Sequence, residues 1–111
     1  MKPKQIAETY FDCWKRGDFD GLHKILADDV KFSGPMGTAN GADEYVASLA
    51  GFSQLLDDVA IDKMLADDGD VLTWFTLHPK GGDPVPVVNW CHVEDGRAQR
   101  VRVTFDPRPL L

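Results

Sequence analysis

Cysteine is scarce in this sequence: Cys13 and Cys91 are the only two. A domain of 111 residues stapled by disulfides would carry more, so a disulfide framework is excluded and both thiols are expected to be free and buried. Basic residues are also in short supply. Twelve Lys and Arg against eighteen Asp and Glu leave a formal charge of −6, and a negative surface repels phosphate backbones and anionic lipid heads. Neither nucleic acid nor a membrane is therefore expected as a partner. No apolar run reaches membrane-spanning length, and the start, Met1-Lys2-Pro3-Lys4, leads into no signal-type core. The chain is expected to be cytoplasmic. It shows no repeat and no linker-like stretch, and its length suits one domain over residues 1–111.

The order of what is present is more informative than its amount. Hydrophobic residues make up 43% and charged residues 27%, enough of each to build one core under a solvated surface. Ile6, Tyr10 and Trp14 recur at helical spacing between Gln5 and Arg16, and Gly17 stops that helix. Asp18 can cap a second helix whose apolar positions are Phe19, Leu22, Ile25 and Leu26, ending near Asp28-Asp29. Val30 to Phe32 reads as a short strand, and Ser33 to Gly41 as a loop rich in breakers. A third helix follows, with Asp43 and Glu44 in its first turn and Tyr45, Val46 and Leu49 on its buried face.

After Ser53 the hydrophobic period changes from 3.6 to 2. Val59, Ile61 and Leu65 alternate with polar residues, and strands are predicted over Val71–His78, Pro86–Val93 and Arg97–Phe105. Acidic and glycine-rich turns separate them. Helices first and a meander afterwards predict an α+β plan, with the helices packed on one side of a curved antiparallel sheet.

Alternation sorts the strand faces. Val101, Val103 and Phe105 share one side of the last strand and Arg100, Arg102 and Thr104 the other, so the valine face must meet the helices. Thr73, Phe75 and Leu77 alternate with Trp74, Thr76 and His78, and Val87, Asn89, Cys91 and Val93 with Val88, Trp90 and His92; alternation by itself leaves open which set of these two strands faces the helices. An outer face showing Trp74 and Trp90 is a large apolar patch, which predicts a homodimer formed across it. His78 and His92 fall on that outer side with no third ligand at metal spacing, and Asp67-Asp68-Gly69-Asp70 lacks the alternating ligands of a calcium loop. No metal and no cofactor is expected.

Three stretches resemble the nuclear transport factor 2-like superfamily. They are Trp14-Lys-Arg-Gly17-Asp18-Phe-Asp20-Gly21 with Leu26-Ala-Asp28-Asp29-Val30, the Gly34-Pro35-Met36-Gly37 loop, and Val93-Glu-Asp-Gly96-Arg97 leading to Val103-Thr-Phe105-Asp106-Pro107. Together they look like its SnoaL-like branch, which includes polyketide cyclases, ketosteroid isomerases and limonene epoxide hydrolases. The resemblance implies a cone-shaped fold: a curved antiparallel sheet with three N-terminal helices packed on its concave face and a pocket between them. Carried over by position, the oxyanion-binding tyrosine of the isomerases falls on Tyr10 and the second oxyanion donor on Asn89. The general-base aspartate falls on Gly34. Glycine cannot take a proton, which argues against ketosteroid isomerase activity itself. The cyclase and hydrolase branches use a late-strand aspartate, and here that is Asp106.

The expected catalytic set is thus Tyr10, Asn89 and Asp106. The expected apolar lining is Trp14, Phe32, Met36, Tyr45, Phe52, Phe75, Val87, Val101, Val103 and Phe105. Three functions fit these residues. One is a SnoaL-like pocket protein for a small hydrophobic molecule, which in its enzymatic form is an isomerase- or cyclase-like catalyst moving a proton next to a carbonyl. Another is a non-catalytic binder of a hydrophobic metabolite. The third is a dimeric interaction module working through its outer sheet face.

Overall fold

The computed structural model describes all residues from Met1 to Leu111. Helix α1 (Pro3–Arg16) starts with proline in its first turn, where a missing N–H costs nothing, and the Gln5 side chain accepts the Lys2 N–H at 2.9 Å. Gly17 ends it in the left-handed conformation, φ 70°. Asp18 then caps α2 (Phe19–Ile25) by accepting the Gly21 N–H at 2.9 Å. This helix stops at Ile25, earlier than the sequence suggests, because β1 (Leu26–Gly34) begins at once and runs through Asp28 and Asp29. Helix α3 spans Ala42–Ser53.

Between β1 and α3 the predicted loop is instead a hairpin. Strand β2 (Gly37–Asn40) pairs back on β1 with Gly34 opposite Gly37, so Pro35 and Met36 make a two-residue turn. The meander follows as β3 (Leu56–Asp67), β4 (Asp70–Pro79), β5 (Val85–Glu94) and β6 (Arg97–Thr104), with Asp95 and Gly96 both at positive φ in the last turn. A short 3-10 turn covers Arg108–Leu110.

The strands form one sheet in the order β2-β1-β6-β5-β4-β3. Every pair is antiparallel except β1 with β6, which is parallel. The sheet is therefore mixed at one seam. Register irregularities in β1, in β3 and between β5 and β6 sharpen its curl. The β3 irregularity also corrects an expected face: Ile61 pairs with Phe75 and Lys63 with Trp74, so Asp62 is an extra residue. Leu65 thereby lands on the outer side, opposite Leu72, instead of sharing a face with Val59.

Helix α1 lies across β3 to β6, and α3 covers β1 and β2. The core fills the space between, with Ile6, Tyr10, Trp14, Leu22, Tyr45, Phe75, Val87 and Val101 all buried. Cys13 and Cys91 are free and buried. No helix is long and apolar enough to cross a membrane.

Candidate functional site

Where the sheet curls away from the helices, the core opens into a cavity of about 260 Å³. Its floor comes from alternate strand positions: Phe32 and Gly34 on β1, Phe75 and Leu77 on β4, Val87 and Asn89 on β5, and Val103 on β6. Its roof is Tyr10 and Trp14 from α1 with Tyr45, Ser48, Leu49 and Phe52 from α3. The hairpin residues Pro35, Met36, Gly37 and Thr38, together with Phe105, complete the wall. The aromatic rings brace one another edge-on or tilted: Phe75 sits 5.9 Å from Trp14, and Phe32 sits 4.8 Å from Tyr45.

The few polar groups are arranged with care. The hydroxyls of Tyr10 and Tyr45 are 2.7 Å apart, so one donates to the other. Burial pushes both phenols well above their ordinary pKa, against the opposing effect of the Tyr45 hydrogen bond at Tyr10. Both stay neutral at physiological pH and act as hydrogen-bonding groups, not as bases. The Trp14 indole N–H donates to Ser53 Oγ at 2.7 Å, and that hydroxyl donates to the Leu49 carbonyl at 2.9 Å. This chain fixes the indole plane at the end of α3. Asn89 is only 2% exposed, yet no hydrogen bond within the chain engages its side chain, whose amide is left facing the cavity.

No carboxylate, imidazole, ammonium or guanidinium group lines this wall. Cys91 lies one alternate residue beyond Asn89 on β5, and burial pushes its thiol up to about 12. It is an inert core residue.

Most of the residues expected from the sequence meet here. Tyr10 and Asn89 share the cavity with Trp14, Phe32, Met36, Tyr45, Phe52, Phe75, Val87, Val103 and Phe105. Two do not. Val101 is fully buried below the cavity, paired with Cys91 and Phe32, because it lies a full strand repeat deeper than Val103. Asp106 lies outside the wall: the strand has ended at Thr104, and Arg108 grips the carboxylate through Nε and, at 2.6 Å, through Nη2. That pairing, reinforced by the Arg108 backbone N–H, lowers the Asp106 pKa. The carboxylate is an exit-turn ion pair and does not reach the cavity.

Sequence reasoning missed Ser48, Thr38 and the hairpin glycines as wall residues. Ser48 stands one helical turn beyond Tyr45, so i, i+3 spacing carried the signal. Leu77 shares the strand parity of Phe75, and Leu49 lies on the predicted buried face of α3. Gly34 has a steric role: a Cβ there would stand 2.7 Å from a Val103 methyl and 3.3 Å from the Phe32 ring. The space a side chain would need is already occupied by the cavity's own lining.

His78 and His92 fall on the outer face, as parity predicts. The His92 ring bridges Asp70 and Glu94, both at 2.9 Å. No group of His, Cys, Asp and Glu side chains is placed to hold a metal ion.

With this geometry in hand, comparison with known proteins gives a family and a fold. Residues 7–101 match the sequence model of the SnoaL-like domain. No curated protein matches the sequence. Among solved structures, a protein from Kribbella flavida is 26% identical and superposes with a TM-score of 0.89 over 96% of this chain and 88% of its own. An NTF2-like protein of unknown function from Cytophaga hutchinsonii is 22% identical, with a TM-score of 0.87 over 99% of this chain and 95% of that one. An LEH-like epoxide hydrolase of M. tuberculosis is 23% identical, with a TM-score of 0.81 over 96% of this chain and 84% of its own. The last two likenesses are of fold alone.

Proposed function

The chain belongs to the SnoaL-like domain family, and on that premise we propose that it takes up a small, neutral, largely hydrophobic molecule in the cavity beneath α1 and α3. The observation that carries this reading is the make-up of the wall: aromatic and aliphatic surface, the Tyr10–Tyr45 hydroxyl pair, the unpartnered Asn89 amide, and no charged side chain. An ion entering such a wall would lose its hydration with nothing to replace it, whereas a neutral molecule gains apolar contact at little cost.

Binding without side-chain proton transfer is the form of the proposal best supported. An isomerase- or cyclase-like proton shift next to a carbonyl would use Asn89 and the tyrosine pair to stabilise the developing oxyanion. Water would then have to be the base, since Gly34 offers none and Asp106 is held by Arg108. The test is a thermal-shift and calorimetric screen of neutral bicyclic ketones and alcohols against matched carboxylates and amines, with turnover followed by mass spectrometry. Stabilisation by the neutral compounds without turnover supports the binder. Rearranged product that disappears in Tyr10→Phe and Asn89→Leu would establish the enzyme in its place, and a preference for charged compounds would sink both.

The outer face supports a second proposal, that the partner is another copy of this chain. Leu72, Trp74 and Trp90 are 47%, 51% and 40% exposed in one patch. Lys31, Arg100 and Arg102 flank it on the β1–β6 side, and Asp62 and Asp70, with Lys63 opposite Trp74 between them, on the β3–β4 side. A two-fold axis through the tryptophans sets each charged flank against its opposite. Sedimentation equilibrium should give a dimer that Trp74→Ser with Trp90→Ser converts to monomer; a monomeric wild type would refute it.

A further inference from the structure

Thr73 Oγ1 is the only side-chain oxygen or nitrogen in the chain that is shut off from all accessible space and also lacks a hydrogen-bond partner. It is 1% exposed and sits on the inner face of β4, directly opposite Asn89 on β5. It does not line the cavity; Phe75, two residues on, is the first β4 residue to do so. The inner end of the cavity therefore has two polar layers. Asn89 faces the space, and behind it lies a hydroxyl with nothing to bond.

Neither side chain spends its hydrogen-bonding capacity inside the protein. A buried hydroxyl and a buried amide left in this state are costly, and native structures keep few of them. Side chains directly opposite on neighbouring strands have Cβ atoms about 5 Å apart, so a turn of the Asn89 amide brings it within reach of the Thr73 hydroxyl. That turn has a chemical consequence. If the amide oxygen accepts the Thr73 O–H, the amide N–H₂ is the end left facing the cavity, and it calls for an acceptor. A neutral oxygen of a ketone, ester or ether supplies one without bringing in charge, and Thr73, Asn89 and the ligand are then all satisfied at once.

We infer that Thr73 is a positioning residue that orients the Asn89 amide toward the cavity and so selects ligands bearing a neutral acceptor oxygen over their hydrocarbon counterparts. This rests on the proposal that the cavity binds a small neutral molecule, and it names the group by which that molecule is chosen.

The test uses three probes of nearly one shape: 2-tetralone, 2-tetralol and tetralin. Calorimetry should show the wild-type protein binding all three, with the ketone favoured over the hydrocarbon. Thr73→Val keeps the shape and removes the hydroxyl. It should lower the ketone-to-hydrocarbon affinity ratio by about three- to tenfold, the worth of one modest hydrogen bond, while leaving tetralin binding unchanged. Thr73→Ser should restore the ratio. The unliganded Thr73→Val protein should melt no lower than wild type, because the hydroxyl it loses has no partner. Three outcomes overturn the inference: an unchanged ratio in Thr73→Val, a clearly lowered melting temperature of that unliganded variant, or no rescue by Thr73→Ser. If wild type binds none of the three probes, the cavity-ligand proposal fails and this inference falls with it. That result differs from tetralin binding with no selectivity, which removes the role of Thr73 alone.

Discussion

Strands β4 and β5 present two faces to two environments, and both faces house polar groups among aromatic rings. Outside, the Trp90 indole N–H donates to Asp70 at 2.9 Å, His92 bridges Asp70 and Glu94, and the Arg102 guanidinium lies 4.4 Å from the Trp90 ring centre. Each hydrogen bond there ends on a carboxylate, and water shares the load. Inside, the groups are Thr73 and Asn89, one residue away along the same strands, and the Tyr10–Tyr45 pair on the helices above them, none of them ionised at physiological pH. Charge is held where solvent can screen it, and neutral hydrogen-bonding groups are held where solvent cannot follow. The inner face can therefore recognise a polar group on a ligand without fixing a charge in an apolar wall.

Four measurements would break or sharpen this contrast. Truncating the inner aromatic should hurt most. Phe75→Ala removes a ring packed on Phe11 and Trp14 and should cost about 3–5 kcal/mol in urea unfolding, while Trp74→Ala on the outer side should change monomer stability by no more than about 0.5 kcal/mol. Equal losses would erase the distinction between the faces.

Next in size is the tyrosine pair. Tyr10→Phe strands the Tyr45 hydroxyl in a buried site and should cost about 1–3 kcal/mol. Tyr45→Phe should do the same, and the double variant should cost less than the sum of the two. Strict additivity would mean that the 2.7 Å contact carries no coupling.

Gly34→Ala should then cost roughly 1–2 kcal/mol through overpacking against Val103. Val103→Ala in the same chain should recover the part due to the clash. A freely tolerated alanine would show that the wall yields at that point.

The smallest effect belongs to the outer network. Glu94 and Asp70 raise the His92 pKa, so its stabilising contribution is complete below the imidazole's ordinary value and fades as pH rises through the raised one. Asp70 is shifted the other way by Trp90 and His92, and its contribution fades as pH falls through the lowered value. Between those limits both act. His92→Asn should flatten the alkaline side of a Tm profile taken from about pH 5 to pH 9, while an unaltered slope would place the titration elsewhere.

Much of the site was legible because strand parity is a strict rule. Alternation placed Val103 inside and Arg102 outside; on β4 and β5 it sorted Phe75, Val87 and Asn89 from Trp74, Trp90 and His92, and the family resemblance, which sets Asn89 in the pocket, indicated which set faces in. Legibility failed where position depended on more than alternation. Val101 has the parity of a wall residue, and only the cavity's depth shows that it lies beneath the floor. Asp106 follows the inward Phe105, but the strand ends at Thr104 and Arg108 captures the carboxylate. The extra residue at Asp62 moved Leu65 to the outer face, and nothing in the local pattern marks where a bulge falls.

From its sequence alone this protein is an α+β chain with helices first, a meander after them, and an outer sheet face that carries Trp74 and Trp90 beside the last strand's arginines. Hydrophobic periodicity and turn residues are local signals, and they suffice for that. Tertiary structure alone decided that β1 lies parallel to β6, that Tyr10 and Tyr45 share a hydrogen bond across 35 residues of chain, and that Thr73 lies behind Asn89 without a partner. Each of these depends on which distant segments the curl of the sheet brings together and on how much space it leaves between them. That shape comes from the packing of the whole chain, and no short window of sequence contains it.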